Sequence, residues 1–177
     1  MTVRLTLVVL AMGLVQAHAE ASVIDEYQLK AAFLFNFAKF VVWPATAFNS
    51  ADTPFQICVL GENPLGSALD ETVRGMEVAG KSFVIRKISE ARQTPGCHIL
   101  FIGASERKRS RAVLEEIKGF SILTVGETDD FLANGGVIRF KLKDAQLRFE
   151  IDADAAARER LKISSKLLSL GEARTKR

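Results

Sequence analysis

Short apolar segments separated by turns and helix-forming stretches dominate the middle of this chain. Four of them cover residues 55–60, 81–88, 97–102 and 121–126. Glycine follows or ends three of these segments, at Gly61, Gly103 and Gly126. Because parallel strands need long crossover connections, which are usually helices, strands that alternate with helical stretches predict a mainly parallel sheet. The chain is therefore predicted to be an α/β protein, a three-layer sandwich with helices on both faces of the sheet.

One antiparallel feature is expected near the carboxyl end. Residues 137–142 and 146–151 are strand-like and flank a three-residue turn, which indicates a C-terminal antiparallel hairpin at one edge of the sheet. Further helices are predicted at residues 65–73, 106–118, 153–160 and 164–170. Neither an internal repeat nor a linker interrupts the pattern, so residues 20–177 are predicted to form a single domain.

The first helix of that domain is unusually apolar. It is predicted to begin at Asp25-Glu26 and to end at Trp43-Pro44, since the residue before a proline resists the α conformation. Its few polar residues do not share one face, so the helix should be buried on two sides. One side would face the sheet and the other a second element or a second subunit. A homodimer is the expectation that follows.

The amino terminus has the features of a secretory signal peptide over residues 1–19. Arg4 precedes an apolar run at residues 5–15, and Ala17-His18-Ala19 matches the small-x-small pattern of a cleavage site before Glu20. The alternatives are a buried first helix and an uncleaved anchor. No later stretch reaches about 18 consecutive apolar residues, so no membrane insertion is expected. The protein is therefore predicted to work outside the cytoplasm.

Charge and cysteine content narrow the possible functions. The chain has 24 Lys and Arg against 21 Asp and Glu. This near balance gives no reason to expect a nucleic-acid partner. Cys58 and Cys97 are the two cysteines, and their spacing matches neither a zinc site nor a C-x-x-C redox motif. An even number of cysteines in an exported chain predicts one disulfide bond.

Catalytic and cofactor signatures are weak. His98 is the single histidine after residue 19, and neither a glycine-rich nucleotide motif nor a cluster of metal ligands is recognisable. Neither a catalytic residue, a cofactor nor a metal is therefore predicted. A weak ligand-binding hypothesis rests on the loops at the carboxyl ends of three strands, since ligands of open α/β sheets bind there. Ordinary turn chemistry is the alternative. The residues concerned are Gly61, Glu62, Asn63, Gly103, Ser105 and Gly126.

Several segments in the same order give the chain a resemblance to a known family. They are residues 27–40 with Trp43-Pro44, 57–61, 97–102, 123–126, 135–138, 148–152 and 161–168. On these segments the chain resembles the YfiR-like periplasmic proteins over residues 26–170. The resemblance implies a non-enzymatic regulator that binds the periplasmic sensor region of an inner-membrane diguanylate cyclase. It also implies a homodimer, and sequestration by an OmpA-like outer-membrane lipoprotein. Cys58 and Cys97 match one cysteine pair of the namesake, and its second pair is absent.

A protein-binding surface is predicted from the first helix, the last helix and one late strand. Aromatic and charged residues at such places often anchor interfaces. The alternatives are plain core for the helices and a solvated face for the strand. A second possible function is a periplasmic small-ligand sensor or a transport-accessory module. The predicted partner-binding residues are Phe37, Lys39, Phe40, Trp43, Glu150, Lys162 and Leu168.

Overall fold

The computed structural model describes residues 26–173. The predicted signal peptide lies outside the described residues. The helices are α1 (residues 26–40), α2 (Gly66–Val73), α3 (Ser110–Glu116), α4 (Ala153–Arg158) and α5 (Ser165–Leu170). The strands are β1 (Val41–Val42), β2 (Phe55–Leu60), β3 (Glu77–Val78), β4 (Lys81–Ile88), β5 (Ile99–Ile102), β6 (Leu123–Gly126), β7 (Ile138–Lys143), β8 (Gln146–Ile151), β9 (Lys162–Ile163) and β10 (Glu172–Ala173). Within residues 26–173, no helix combines the length and the apolar character that crossing a bilayer requires.

The main sheet has eight strands in the order β10-β8-β7-β6-β5-β2-β4-β3. The pairs β8–β7 and β4–β3 are antiparallel, and the remaining neighbours are parallel. The predicted α/β class, mainly parallel sheet and antiparallel hairpin are therefore confirmed. The hairpin does not form the edge, however, because β10 pairs with β8 on its outer side. Strand β10 has only two residues, which is too short to be recognised from the sequence alone.

The central strands are buried on both faces. In β2, Ile57 and Val59 belong to one apolar cluster, whereas Cys58 and Leu60 belong to another. Residues of α1 and α2 complete the first cluster, and residues of α3 complete the second. Period-two alternation along the strand explains this division, since successive side chains point to opposite faces. The three-layer arrangement remains a prediction.

The carboxyl end of α1 differs from the prediction. The helix ends at residue 40, before Trp43-Pro44, and Val41–Val42 becomes strand β1. This strand pairs antiparallel with β9, and the Ser164 backbone N–H donates to the Phe40 carbonyl at 2.9 Å. The β-branched valines suit an extended backbone. Pairing with a distant segment therefore ends the helix earlier than the proline would.

Candidate functional site

The loops that follow β2 and β5 meet at the carboxyl end of the sheet. The Glu62 backbone N–H donates to Ser105 Oγ at 3.0 Å. Gly61 has φ +88°, and a Cβ there would lie 2.6 Å from both Ser105 Oγ and the Glu106 side chain. A Cβ on Gly103 would lie 2.9 Å from the Glu62 carbonyl oxygen. The structure thus brings the predicted loop residues together, but it fills the space between them with the protein's own atoms.

Neither Asn63 nor Ser105 caps a helix in the structure. Helix α2 begins at Gly66 after Leu65, and Asn63 Oδ1 is buried without a hydrogen-bond partner. A 3₁₀ turn, Ala104–Glu106, precedes α3, which begins only at Ser110. Ser105 is occupied instead as the acceptor for the Glu62 N–H. The predicted helix starts were therefore four residues early at α3 and one residue early at α2.

Gly126 is packed against an aromatic ring. A Cβ at Gly126 would lie 2.4 Å from the Phe131 ring, and one at Gly136 would lie 2.2 Å from the same ring. Phe131 is itself 1% exposed. The two glycines therefore make room for a core side chain, so the weak ligand-binding assignment of Gly126 is better explained by packing.

We expect Gly126→Ala to destabilise the protein, because its methyl group would overlap the Phe131 ring. Overpacking of this kind costs about 1–3 kcal/mol of unfolding free energy. Urea unfolding of Gly126→Ala, Phe131→Leu and the double variant measures the effect. The smaller leucine side chain in place of the Phe131 ring should relieve the overlap, so the double variant should be more stable than the sum of the single losses implies. If the losses of unfolding free energy in the two single variants simply add in the double variant, the packing explanation is contradicted.

A buried lysine cluster was not identified from the sequence. The Lys30 side chain is 4% exposed, and its Nζ lies 2.5 Å from Glu26 Oε1 and 2.6 Å from Glu127 Oε2. Burial alone would lower the pKa of Lys30, but hydrogen bonds to Glu127 and Glu26 outweigh it and raise the pKa. Burial, and then the Glu127 charge, raises the pKa of Tyr27. The signal available in the sequence was Lys30 itself, because it lies within a helix that is predicted to be buried on two sides.

The lysine cluster borders a cleft of about 330 Å³ at the carboxyl end of the sheet. Glu127 Oε1 also accepts a hydrogen bond from the Ala104 backbone N–H at 3.1 Å. The cluster therefore connects α1 to the loops that follow β5 and β6. Lys141 and the apolar side chains of Phe140 and Leu147 form other parts of the lining. Both carboxylates of the cluster already have partners, so its first role is to hold α1 in place.

Two predicted partner-binding residues are buried in the protein's own core. Phe37 is 0% exposed and contacts the rings of Phe140 and Phe149, with centroids 5.9 and 5.2 Å away. Trp43 is 9% exposed, and its Nε1–H donates to the His98 carbonyl at 3.2 Å. The prediction that both contact a partner is corrected here. The β7–β8 hairpin covers Phe37 on α1, and Phe55 of β2 contacts the Trp43 ring with centroids 4.9 Å apart.

Glu150 belongs to an ion-pair network across the hairpin. Its carboxylate lies 2.7 Å from both Arg139 and Lys141, and Lys141 also reaches Glu172 on β10 at 2.5 Å. Burial alone would raise the pKa of Glu150, but Lys141 and Arg139 outweigh it and hold the pKa below its ordinary value. The network connects β7, β8 and β10. Its contacts give Glu150 a structural role inside the chain.

The other four predicted partner-binding residues are Lys39 and Phe40 at the end of α1, Lys162 on β9 and Leu168 on α5. Val42 pairs with Lys162 in the ladder, and Lys166 Nζ lies 5.2 Å from the centroid of the Phe40 ring. Val42 is 62% exposed and Leu168 is 41% exposed. We call these four residues, together with Val42 and Lys166, the ribbon surface, which therefore comprises Lys39, Phe40, Val42, Lys162, Lys166 and Leu168.

The charge of the ribbon surface is one-sided. Lys39, Lys162 and Lys166 are all exposed. In the part of the chain that the structure describes, none of the three forms a salt bridge. Lys39 lies over the Phe35 ring at 4.3 Å instead. Within the described residues, the surface therefore combines exposed apolar groups with three cations that form no salt bridge.

The predicted disulfide bond between Cys58 and Cys97 is confirmed. The two Cα atoms are 5.8 Å apart, and both residues lie in the apolar cluster on the α3 face. Cys97 lies two residues before β5, so it is not itself in a strand. The bond joins β2 to the turn that leads into its neighbour in the sheet.

His98 is buried and fully hydrogen-bonded. Its Nδ1 accepts from the Gln56 backbone N–H at 3.0 Å, and Nε2 donates to the Ala47 carbonyl at 3.1 Å. The ring stacks on Phe48 with centroids 4.2 Å apart. Burial lowers the pKa of His98 to about 4. One ring nitrogen binds the start of β2 and the other binds the 3₁₀ turn before it, so this histidine acts structurally.

The whole described domain matches a single family. The model of the YfiR/HmsC-like family (DUF4154) matches residues 27–172. The chain belongs to the YfiR/HmsC-like family. The YfiR/HmsC-like family is known for periplasmic regulation, and it is not a catalytic family. Within residues 26–173, no group of three or more His, Cys, Asp or Glu side chains is arranged to hold a metal ion.

Ten chains from solved structures match this member of the YfiR/HmsC-like family. One is the ABC domain in complex with L-Trp from Streptococcus pneumonia, with a TM-score of 0.50 and 9% sequence identity. The match covers 67% of this chain and 54% of that chain, so this chain spans about half of the other's length. At this identity the likeness concerns the fold alone. No curated protein is significantly similar to the chain in sequence.

Proposed function

We propose that this protein is a periplasmic signalling repressor. It binds the periplasmic sensor region of an inner-membrane diguanylate cyclase and lowers cyclic-di-GMP output. The ribbon surface is the observation that carries the proposal. Exposed Val42 lies opposite Lys162 on the β1–β9 pair, and Leu168 is exposed on α5. Within residues 26–173, the lysines of this surface form no salt bridge. Such a surface suits a protein partner with apolar and acidic groups. Membership of a family of periplasmic regulators supports the same conclusion.

The repressor acts by shifting the cyclase between two states. It binds the inactive arrangement of the sensor region more tightly than the active one, and the difference in affinity sets the degree of inhibition. An OmpA-like outer-membrane lipoprotein relieves the inhibition by sequestering the repressor. In this proposal the repressor is a homodimer, and each protomer presents its own ribbon surface.

We expect Val42→Asp and Lys162→Glu to raise cellular cyclic-di-GMP toward the level of a deletion strain. Both changes put a negative charge on a surface that is proposed to contact acidic groups, and like charges across an interface oppose binding. Loss of an interface anchor costs about 2 kcal/mol or more, which weakens binding about 30-fold. Melting temperature should change little, because both side chains are exposed. Nucleotide extraction and thermal melting measure the two effects.

Leu142→Asp and Lys108→Glu are matched controls. Both residues are exposed and lie outside the ribbon surface, on β7 and just before α3. They should leave cyclic-di-GMP at the wild-type level. Unchanged cyclic-di-GMP in the deletion strain, under conditions where the protein is expressed, would refute the repressor function. A rise with the controls as large as with Val42→Asp would instead show that the ribbon surface is the wrong contact.

A periplasmic small-ligand sensor is the second candidate. The observation that favours it is the cleft of about 330 Å³ beside Lys30, at the sheet edge where α/β proteins bind ligands. A metabolite that binds there raises the melting temperature of the wild-type protein, since a ligand stabilises the state that it binds. The shift should disappear in Tyr27→Ala, which alters the lining without removing the lysine cluster. A metabolite panel without any shift counts against the sensor.

A further inference from the structure

Strand β4 has an edge that the sheet leaves open. On one side β2 pairs with it from Phe83 to Ile88. On the other side β3 pairs only with Lys81 and Ser82. Within residues 26–173, no strand therefore pairs with residues 83–88 on the side away from β2. Alternate residues of a strand point their backbone N–H and C=O groups to each side, so this edge presents a row of unpaired groups.

A cavity adjoins the open edge. It has a volume of about 290 Å³ and lies between the end of α2, β3 and β4. Val73, Met76, Phe83 and Ile85 supply apolar lining, and Met76 is 40% exposed. On the opposite face of β4, Val84 is 42% exposed. An added strand would place alternate side chains against these two faces.

We infer that the β4 edge accepts an extended segment of a partner protein as an additional strand. Main-chain hydrogen bonds to residues 83–88 provide affinity, and an aliphatic side chain in the cavity provides specificity. An acidic residue of the segment lies near Lys87, which is exposed and has no salt bridge within the described residues. This site shares no residue with the ribbon surface, so the inference goes beyond the proposed function.

Only an extended backbone satisfies a strand edge, and a second copy of β4 fits it poorly. Two-fold antiparallel pairing requires residues of the same face to oppose each other. If the two copies pair with Ile85 opposite Ile85, residue Ile88 of the second copy lies opposite Ser82. Ser82 is already paired with β3. Pairing centred on Arg86 or on Lys87 opposes two like charges, which is destabilising. A different chain is therefore the better occupant.

Selection from a library of random twelve-residue peptides displayed on phage tests the inference against the full disulfide-bonded chain. We expect the selected peptides to alternate polar and apolar residues, with an aliphatic residue and an acidic residue in common. Their binding should slow amide hydrogen exchange at residues 83–88 of the wild-type protein. Selected peptides without alternation, or exchange protection confined to another segment, would overturn the inference.

Val84→Lys and Leu142→Lys form a matched pair of variants. Each replaces an exposed aliphatic residue of a strand by lysine, and Leu142 is on β7, far across the strand order from β4. Val84→Lys should weaken peptide binding at least about tenfold, which corresponds to ~1.4 kcal/mol, and Leu142→Lys should leave it unchanged. Equal binding by both variants would overturn the site. If the wild-type chain forms a dimer that Val84→Lys dissociates, the edge pairs with a second copy of the chain. That result would overturn the inference of a different partner protein.

Discussion

Replacing both Cys58 and Cys97 by alanine should lower the free energy of unfolding by about 4 kcal/mol. The bond closes a loop with a sequence separation of 39, and the chain-entropy relation assigns about that stabilisation to such a loop. This is a large fraction of the roughly 5–15 kcal/mol that holds a typical domain together, or roughly 10 °C in melting temperature. Urea unfolding of the oxidised wild type and the double variant measures the difference.

Reduction of the wild-type protein provides the control for the alanine substitutions. Cys58 is 0% exposed and Cys97 is 5% exposed, so truncating their side chains also removes buried contacts. The fully reduced wild type keeps both sulfur atoms and should show most of the loss. A reduced protein within about 1 kcal/mol of the oxidised one would mean that the bond hardly constrains the unfolded chain.

Stability should fall as the pH is lowered from about 6.5 to about 4, because His98 is held neutral in the fold. Burial is the main cause that lowers its pKa from 6.5 to about 4; the hydrogen bond to Ala47 opposes this shift, and the Lys81 charge adds to it. The unfolded chain therefore binds a proton in this range that the folded chain does not, so acid favours unfolding. At ~1.4 kcal/mol per pKa unit, the loss approaches about 3 kcal/mol at pH 4.

His98→Asn separates this contribution from that of the carboxylates. The asparagine carbonyl can accept the Gln56 N–H in place of Nδ1, whereas no group at the position titrates. The variant should be less stable at pH 7, and its stability should change much less between pH 7 and 5 than that of the wild type. Glu150 and Glu172 have lowered pKa values, so their contribution to stability is lost at more acidic pH. An unchanged slope in His98→Asn would refute the role of this histidine.

The main errors in site prediction came from the first helix. Its apolar residues exceed what one sheet face can cover, and this excess suggested an intermolecular contact at Phe37 and Trp43. The structure covers them with Phe140, Phe149 and Phe55, which lie on the distant hairpin and on β2. Hydrophobicity alone cannot distinguish a surface that meets a partner from one that meets another part of the same chain. The neighbouring Lys39 is exposed and Phe40 is half-buried, so both reach the surface as expected.

Local patterns in the sequence determined the α/β class, the four central strands, the hairpin and the pairing of the two cysteines. Each depends on side-chain alternation, turn residues or residue count over a short range. The tertiary structure alone decided the early end of α1, the lysine cluster with Glu26 and Glu127, and the added strand β10. These features depend on contacts between segments that lie far apart in the chain. A two-residue strand or a buried charge is stable only when its distant partner is in place, so no local pattern reveals it.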